Sequence, residues 1–151
     1  MPAVQTSYPS FQAPGYLGMM ANGEWVTNVI SRVVDPASAA AVNFGDPVLQ
    51  GSGDQLVVSA NGATGAFRGI AVRNPTLPPA NNDQYLAGNT VAVLTKGVIW
   101  VNAAAAVTAG TAAYLTSAGV LTGAGSGNTA LAGALWDSTT PTAGLAKLRL
   151  G

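Results

Sequence analysis

Cysteine and histidine are both absent from the sequence. Their absence removes disulfide stapling, thiolate nucleophiles, zinc sites of the usual kind and the side chain most used for proton transfer near neutral pH. Charge is scarce as well, at 8% of residues against about 25% in an ordinary globular chain. Six basic residues (Arg32, Arg68, Arg73, Lys96, Lys147, Arg149) cancel six acidic ones (Glu24, Asp35, Asp46, Asp54, Asp83, Asp137), and the two sets are scattered. With no basic patch to neutralise a phosphate backbone, direct nucleic-acid binding is not expected. A membrane partner is not expected either, for want of that patch and of an apolar run of about 18 residues. The N-terminal stretch MPAVQTSYPSFQAPGYLGMM has no basic start and three prolines, Pro2, Pro9 and Pro14. It does not read as a signal peptide, so the chain is expected to be made and used without secretion.

What fills the polar positions instead is Ser, Thr, Asn, Gln and Gly. From Thr95 to Gly125, TKGVIWVNAAAAVTAGTAAYLTSAGVLTGAG, the only charge is Lys96. Such a surface is neutral, rich in hydroxyl and amide groups, and suited to close packing against other protein. The 151 residues fit one domain, and a domain of about this size buries roughly 68–70% of the surface its unfolded chain exposes.

Two segments follow from the pattern: an extended N-terminal arm over residues 1–24 and a single β domain over 25–151. Prolines and glycines bar a helix in the arm, yet Tyr8, Phe11, Tyr16, Leu17, Met19 and Met20 lie in it and Trp25 just after it. Large apolar groups at that density are unusual for a disordered linker. The arm either packs over its own domain or docks on another subunit. Beyond it, VTNVISRVVD reads as a strand ended by Asp35-Pro36, the alanine-rich PASAAA allows one helical turn, and Val42 to Gly62 has the grammar of short strands and turns. Phe67 to Val72 reads as a strand and Asn74 to Gln84, with three prolines, as a loop.

Two hairpins are predicted next, Val91–Leu94 with Val98–Val101 about Thr95-Lys96-Gly97, and Tyr114–Thr116 with Val120–Thr122 about Ser117-Ala118-Gly119. In each the glycine supplies a positive φ. Between them a turn and then a strand from Val107 are expected, because Ala103 to Ala106 is too short to nucleate a helix alone. Ala130 to Trp136 and Leu145 to Leu150 complete the strands, the last with Ala146, Leu148 and Leu150 on one face. Eight or more short strands without a long amphipathic helix predict an all-β fold, a small β-barrel or jelly-roll-like sandwich.

A search for chemistry returns no catalytic, cofactor or metal site. Without histidine a serine nucleophile would need a lysine base, and neither Lys96 nor Lys147 sits in a Ser-x-x-Lys motif. Asp46 and Asp54 flank PVLQGSG and read as turn residues bonded to their own backbone. GSGDQ and GAGSGN lack the following Lys-Thr or Lys-Ser of a phosphate cradle. Trp25, Trp100 and Trp136 stand far apart in strand-like contexts and read as core. The chain is expected not to be an enzyme.

YLGMMAN, VISRVVD, FGDPVLQG, FRGIAV, YLAGNTVAVLTKGVIWVNAAAAVTAGTAAYLTSAGVLT, LAGALWDS and GLAKLRL follow one another from Tyr16 to Leu150. In order and spacing they resemble the capsid decoration, or cement, proteins of tailed bacteriophages. The resemblance implies a small β-barrel or jelly-roll-like body on the outer surface of the expanded head, in contact with the major capsid protein and bridging its subunits. It implies homo-oligomers at local symmetry axes, where isologous pairing favours a homodimer and a homotrimer also fits. It also implies an N-terminal segment that makes capsid or inter-subunit contacts, and no catalytic residues. Within that frame Tyr8, Phe11, Tyr16, Met19 and Trp25 are the expected contacts, an inference from the residues themselves. The alternative is a receptor- or glycan-binding module of the virion, using the tryptophans or the Asn74 to Gln84 loop.

Overall fold

The computed structural model describes residues 14–23, 26–77 and 82–151. Turn residues cut the apolar runs into eleven strands: β1 (Asn28–Val34), β2 (Val42–Asn43), β3 (Pro47–Gln50), β4 (Leu56–Ser59), β5 (Phe67–Ala71), β6 (Gln84–Tyr85), β7 (Thr90–Ala103), β8 (Ala112–Leu115), β9 (Leu121–Thr122), β10 (Thr129–Trp136) and β11 (Gly144–Leu150). No helix occurs among the described residues, and residues 36–41 form turns and bends in place of the helical turn that alanine propensity allows.

Two closed circuits of strands share β7. In the first, β1, β4, β3, β5 and β7 are neighbours in that order and β7 returns to β1. In the second, β7, β11, β10, β8 and β9 follow one another, and a single parallel bridge from Leu121 to Ala103 returns β9 to β7. The molecule is thus an all-β barrel with added strands. A two-stranded ribbon of β2 and β6 stands apart. The β1–β4 pair is parallel and most others are antiparallel.

β7 is long because it serves both circuits. Its first half carries β1, in register from Val33 opposite Thr90 to Asn28 opposite Lys96, and β5 at Ile70 and Ala71. Its second half carries β11, from Leu150 opposite Gly97 to Gly144 opposite Ala103. Val91 and Val93 enter one core with Val34, Phe44, Val48, Val57 and Tyr85. Leu94, Ile99, Val101 and Ala103 enter the other with Ile70, Leu121, Trp136 and Leu148. A strand buried on both faces reads as nearly continuous apolar sequence, and TVAVLTKGVIWVNA does so for that reason. Burying each Val, Leu or Ile contributes about 1.5–3 kcal/mol.

The first predicted hairpin is therefore corrected. Val91–Leu94 and Val98–Val101 are one strand, and Gly97, at φ 129°, bends it without reversing it. The positive φ was legible; the direction of the chain was not, because β1 and β11 supply the partners that a hairpin would have supplied. The second hairpin is present as predicted: Thr116 N–H donates to Val120 O at 3.0 Å, Gly119 N–H to Thr116 O at 2.9 Å, and Gly119 has φ 75°. The strand expected from Val107 begins at Ala112 instead, since Thr111 N–H and Oγ1 both turn back to Thr108 O. Val107 keeps only an isolated bridge to Thr140. Ala146, Leu148 and Leu150 are buried together on β11, as the alternation requires.

Candidate functional site

Residues 14–23, the described part of the segment expected as an arm and called its root below, are sewn to the second half of β7. Gly18 N–H donates to Trp100 O at 2.8 Å, Trp100 N–H to Met19 O at 2.9 Å, and Ala21 N–H to Val98 O at 2.8 Å, so that Met20 lies opposite Ile99. The segment behaves as a short antiparallel strand in the lane that β1 occupies further along. Two glycines make this approach possible. A Cβ on Gly15 would fall 2.4 Å from Trp100 Nε1, and one on Gly18, whose φ is +72°, would fall 2.8 Å from the backbone nitrogens of Arg73 and Gly45. No other residue fits the second position without displacing backbone.

Pairing with β7 decides which side chains face outward. Tyr16 is 58% exposed, Leu17 40% and Met20 46%, and beyond the root Val26 and Val29 are exposed as well. Met19 is half-buried. Met20 and Val29 flank β7 at Ile99 and Leu94, five residues and about 17 Å apart along the strand. Five exposed apolar side chains thus fall between Tyr16 and Val29 in the chain, and exposed apolar groups mark an interaction surface where they adjoin. Of the residues expected from sequence, Tyr16 is among these exposed groups and Met19 is half-buried, while Tyr8, Phe11 and Trp25 fall outside the described residues. Leu17 and Met20 were missed. Leu17 stands in a turn closed by Met19 N–H to Tyr16 O at 3.0 Å, and Met20 is oriented by its pairing with Ile99, far along the chain, so no local period-2 alternation marks either.

Arg73 holds the inner side of the root. Its guanidinium lies 5.5 Å from the Tyr16 ring centroid and 5.4 Å from that of Phe44, within cation–π range. It also stands 3.6 Å from the Asp83 carboxylate. Phe44 meets Tyr85 edge to face at 5.3 Å, and Tyr85 O–H donates to Val72 O. Burial pushes the Tyr85 phenol above its ordinary value. A cleft of ≈ 470 Å³ opens beside the root, lined by Tyr16, Asp46, Arg73, Asp83 and Asn102 among others.

The two carboxylates with displaced titrations are structural. Asp35 Oδ2 accepts from Ser52 N–H at 2.9 Å and from Ser52 O–H at 2.7 Å, and its Oδ1 accepts from Ala37 N–H at 2.9 Å. The Ser52 N–H, then the Ser52 hydroxyl and the Ala37 N–H, hold its pKa below the ordinary carboxylate value. Asp46 Oδ2 accepts from Asn43 N–H at 3.1 Å and Nδ2 at 2.8 Å across a turn. Burial outweighs these bonds and raises its pKa. Asp46 and Asp54 sit in separate turns, as turn residues should. No group of three or more acidic side chains that would hold a metal comes together among the described residues. Trp100 and Trp136 are buried, Trp100 beneath Lys147 Nζ at 5.3 Å from its ring, so neither offers a face to a sugar.

No curated protein is similar enough to this chain to count as a relative. Among solved structures, a chain of "The capsid of Myoviridae Phage XM1" superposes with a TM-score of 0.76 at 18% identity, covering 99% of this chain and 98% of that one. At that identity the likeness establishes the fold. The family model described as "Structural cement protein (E217 gp24/Pam3 gp6)" matches residues 4–151, and the chain therefore belongs to that family: a structural protein of the phage virion, carried on the capsid surface.

Proposed function

We propose that this protein bridges neighbouring subunits of the major capsid protein on the outside of the expanded head and stabilises the shell, acting as a homo-oligomer, with a dimer preferred. The arm, residues 1–24, with Trp25 after it, makes capsid or inter-subunit contacts, Tyr8, Phe11, Tyr16, Met19 and Trp25 being joined there by Leu17 and Met20. The observation that carries this reading is the exposure of Tyr16, Leu17 and Met20 on a segment pinned to β7 by three backbone hydrogen bonds. Residues held in place before contact lose little conformational freedom on binding, which preserves affinity. A protein that binds only the assembled shell stabilises it by mass action, about 2.7 kcal/mol per site at a hundredfold excess over Kd. Many copies multiply modest sites through avidity.

The test is co-sedimentation of the purified protein with expanded, undecorated heads, followed by a thermal melt of the particles. Saturable binding and a raised melting temperature are expected, and the copies bound per head select the symmetry axis. Leu17→Asp and Met20→Asp change exposed side chains without touching the core, and each should weaken binding by about tenfold or more, the scale of a lost interface anchor. Undiminished binding by both variants would place the contact elsewhere.

A further inference from the structure

Two buried polar atoms near the end of β10 stand without partners. Trp136 is 1% exposed, yet its indole Nε1 meets no hydrogen-bond acceptor among the described residues. The buried Oγ1 of Thr140 is unpartnered in the same way. A donor taken out of water with nothing in return destabilises the fold, and buried groups of this kind are met in native proteins by protein atoms or by ordered water.

The backbone brings the two atoms to one place. Val107 N–H donates to Thr140 O at 3.1 Å and Thr140 N–H to Val107 O at 3.0 Å. Residues that exchange both hydrogen bonds turn their side chains to the same face, and Val107 is buried in the core that holds Trp136. Gly123, just past β9, completes a recess there. A Cβ on Gly123 would stand 3.4 Å from Val107 Cγ1, 3.8 Å from Trp136 Nε1 and 3.9 Å from Ala106 O. These are ordinary contact distances, so a space the size of a methyl group is open beside Gly123, with an indole donor and a backbone acceptor on its walls.

We propose that this recess binds one water molecule, which accepts from Trp136 Nε1–H, donates to Ala106 O and shares a hydrogen bond with Thr140 Oγ1. About three partners is the usual complement of an internal water. The site stands where strand pairing gives out. β9 returns to β7 by the single bridge of Leu121 to Ala103, extended by Ala104 N–H to Leu121 O at 2.9 Å, and Ala105 and Ala106 belong to no strand. The water ties Ala106, the end of β10 and the turn that carries Thr140 into one network. It thus closes the second circuit at the point where backbone hydrogen bonds do not.

The test uses the full-length protein with nitrogen-15 in its indole rings. In a water-selective ROESY spectrum a bound water and simple proton exchange give cross-peaks of opposite sign. A peak of dipolar sign is expected at Trp136 Hε1, identified as the indole signal that persists in both Trp25→Phe and Trp100→Phe. Gly123→Ala then supplies a second readout. The φ of Gly123 lies outside the left-handed region, so alanine fits its backbone without strain. If the water is there, the new methyl displaces it and leaves the indole without a partner: the cross-peak is lost and the melting temperature falls by roughly 2–4 °C. In a dry recess the same methyl fills empty space and restricts the unfolded chain, and the melting temperature rises. A rise in Gly123→Ala would overturn the proposal, as would a wild type with no dipolar cross-peak at Trp136 Hε1. Thr140→Val keeps the side-chain shape and removes the hydroxyl, and it should weaken the cross-peak and lower the melting temperature. Both readouts unchanged in that variant would overturn the contact with Thr140.

Discussion

Asp35 and Asp46 are eleven residues apart and titrate in opposite directions for reasons visible in their partners. Asp35 ties the turn after β1 to the loop after β3, accepting two hydrogen bonds from Ser52 and one from Ala37. Its folded pKa is depressed, so the stability it contributes is complete above the ordinary value of about 3.9 and is lost as pH falls through the folded value. Asp46 is raised by burial, so its contribution is complete below about 3.9 and is lost as pH rises through the folded value. Thermal melts between pH 3 and pH 7 separate them. Asp35→Asn should melt below the wild type near neutrality, with the gap closing in acid. Asp46→Asn should gain on the wild type as pH rises above about 4. Parallel curves for the two variants would mean that neither carboxylate is linked to folding. At this scale the sequence was informative about chemistry and silent about facing. Tyr16 was legible as a large aromatic in an uncharged segment, whereas the choice between Met19 and Met20 depends on the hydrogen bonds to Val98 and Trp100, which no local pattern encodes.

Among the elements, β7 decides the most. Thr95-Lys96-Gly97 and Ser117-Ala118-Gly119 look alike as turn sequences, and only the second reverses the chain. Local turn chemistry sufficed for β8 and β9 because each is the other's neighbour. It failed at Gly97 because β1 and β11, contributed from opposite ends of the chain, take up the hydrogen-bonding edges of β7. The strand count, the absence of long helices and the buried face of β11 were legible, since they follow from composition and period 2. The closure of two circuits on one strand was not, since it follows from long-range pairing. Sharing β7 should couple the two cores. Phe44→Ala in one core and Leu148→Ala in the other remove buried side chains, each at a cost of about 3 kcal/mol. Each should lower the melting temperature by roughly 6–12 °C and leave a single transition by both tyrosine and tryptophan signals. Two resolved transitions in either variant would show that the circuits fold independently.

For the whole molecule the scarcity of charge becomes a functional quantity. Copies crowded on one shell repel through their net charge, and here six positive and six negative residues sum to zero. The surface proposed for the shell carries Tyr16, Leu17, Met20, Val26 and Val29, and the cation beside Tyr16, Arg73, already faces Asp83 and two aromatic rings. Attraction between exposed charges is screened within about 10 Å at 0.1 M salt, while apolar burial is not weakened by sodium chloride. Binding to heads should therefore change by less than about threefold between 0.05 and 0.5 M sodium chloride, unlike an interface steered by charge. It should also show a negative heat-capacity change in calorimetry, the mark of apolar surface leaving water. A tenfold weakening across that salt range would move the contact from the apolar side chains to the few ionic ones, and Leu17→Asp and Met20→Asp would then bind as the wild type does.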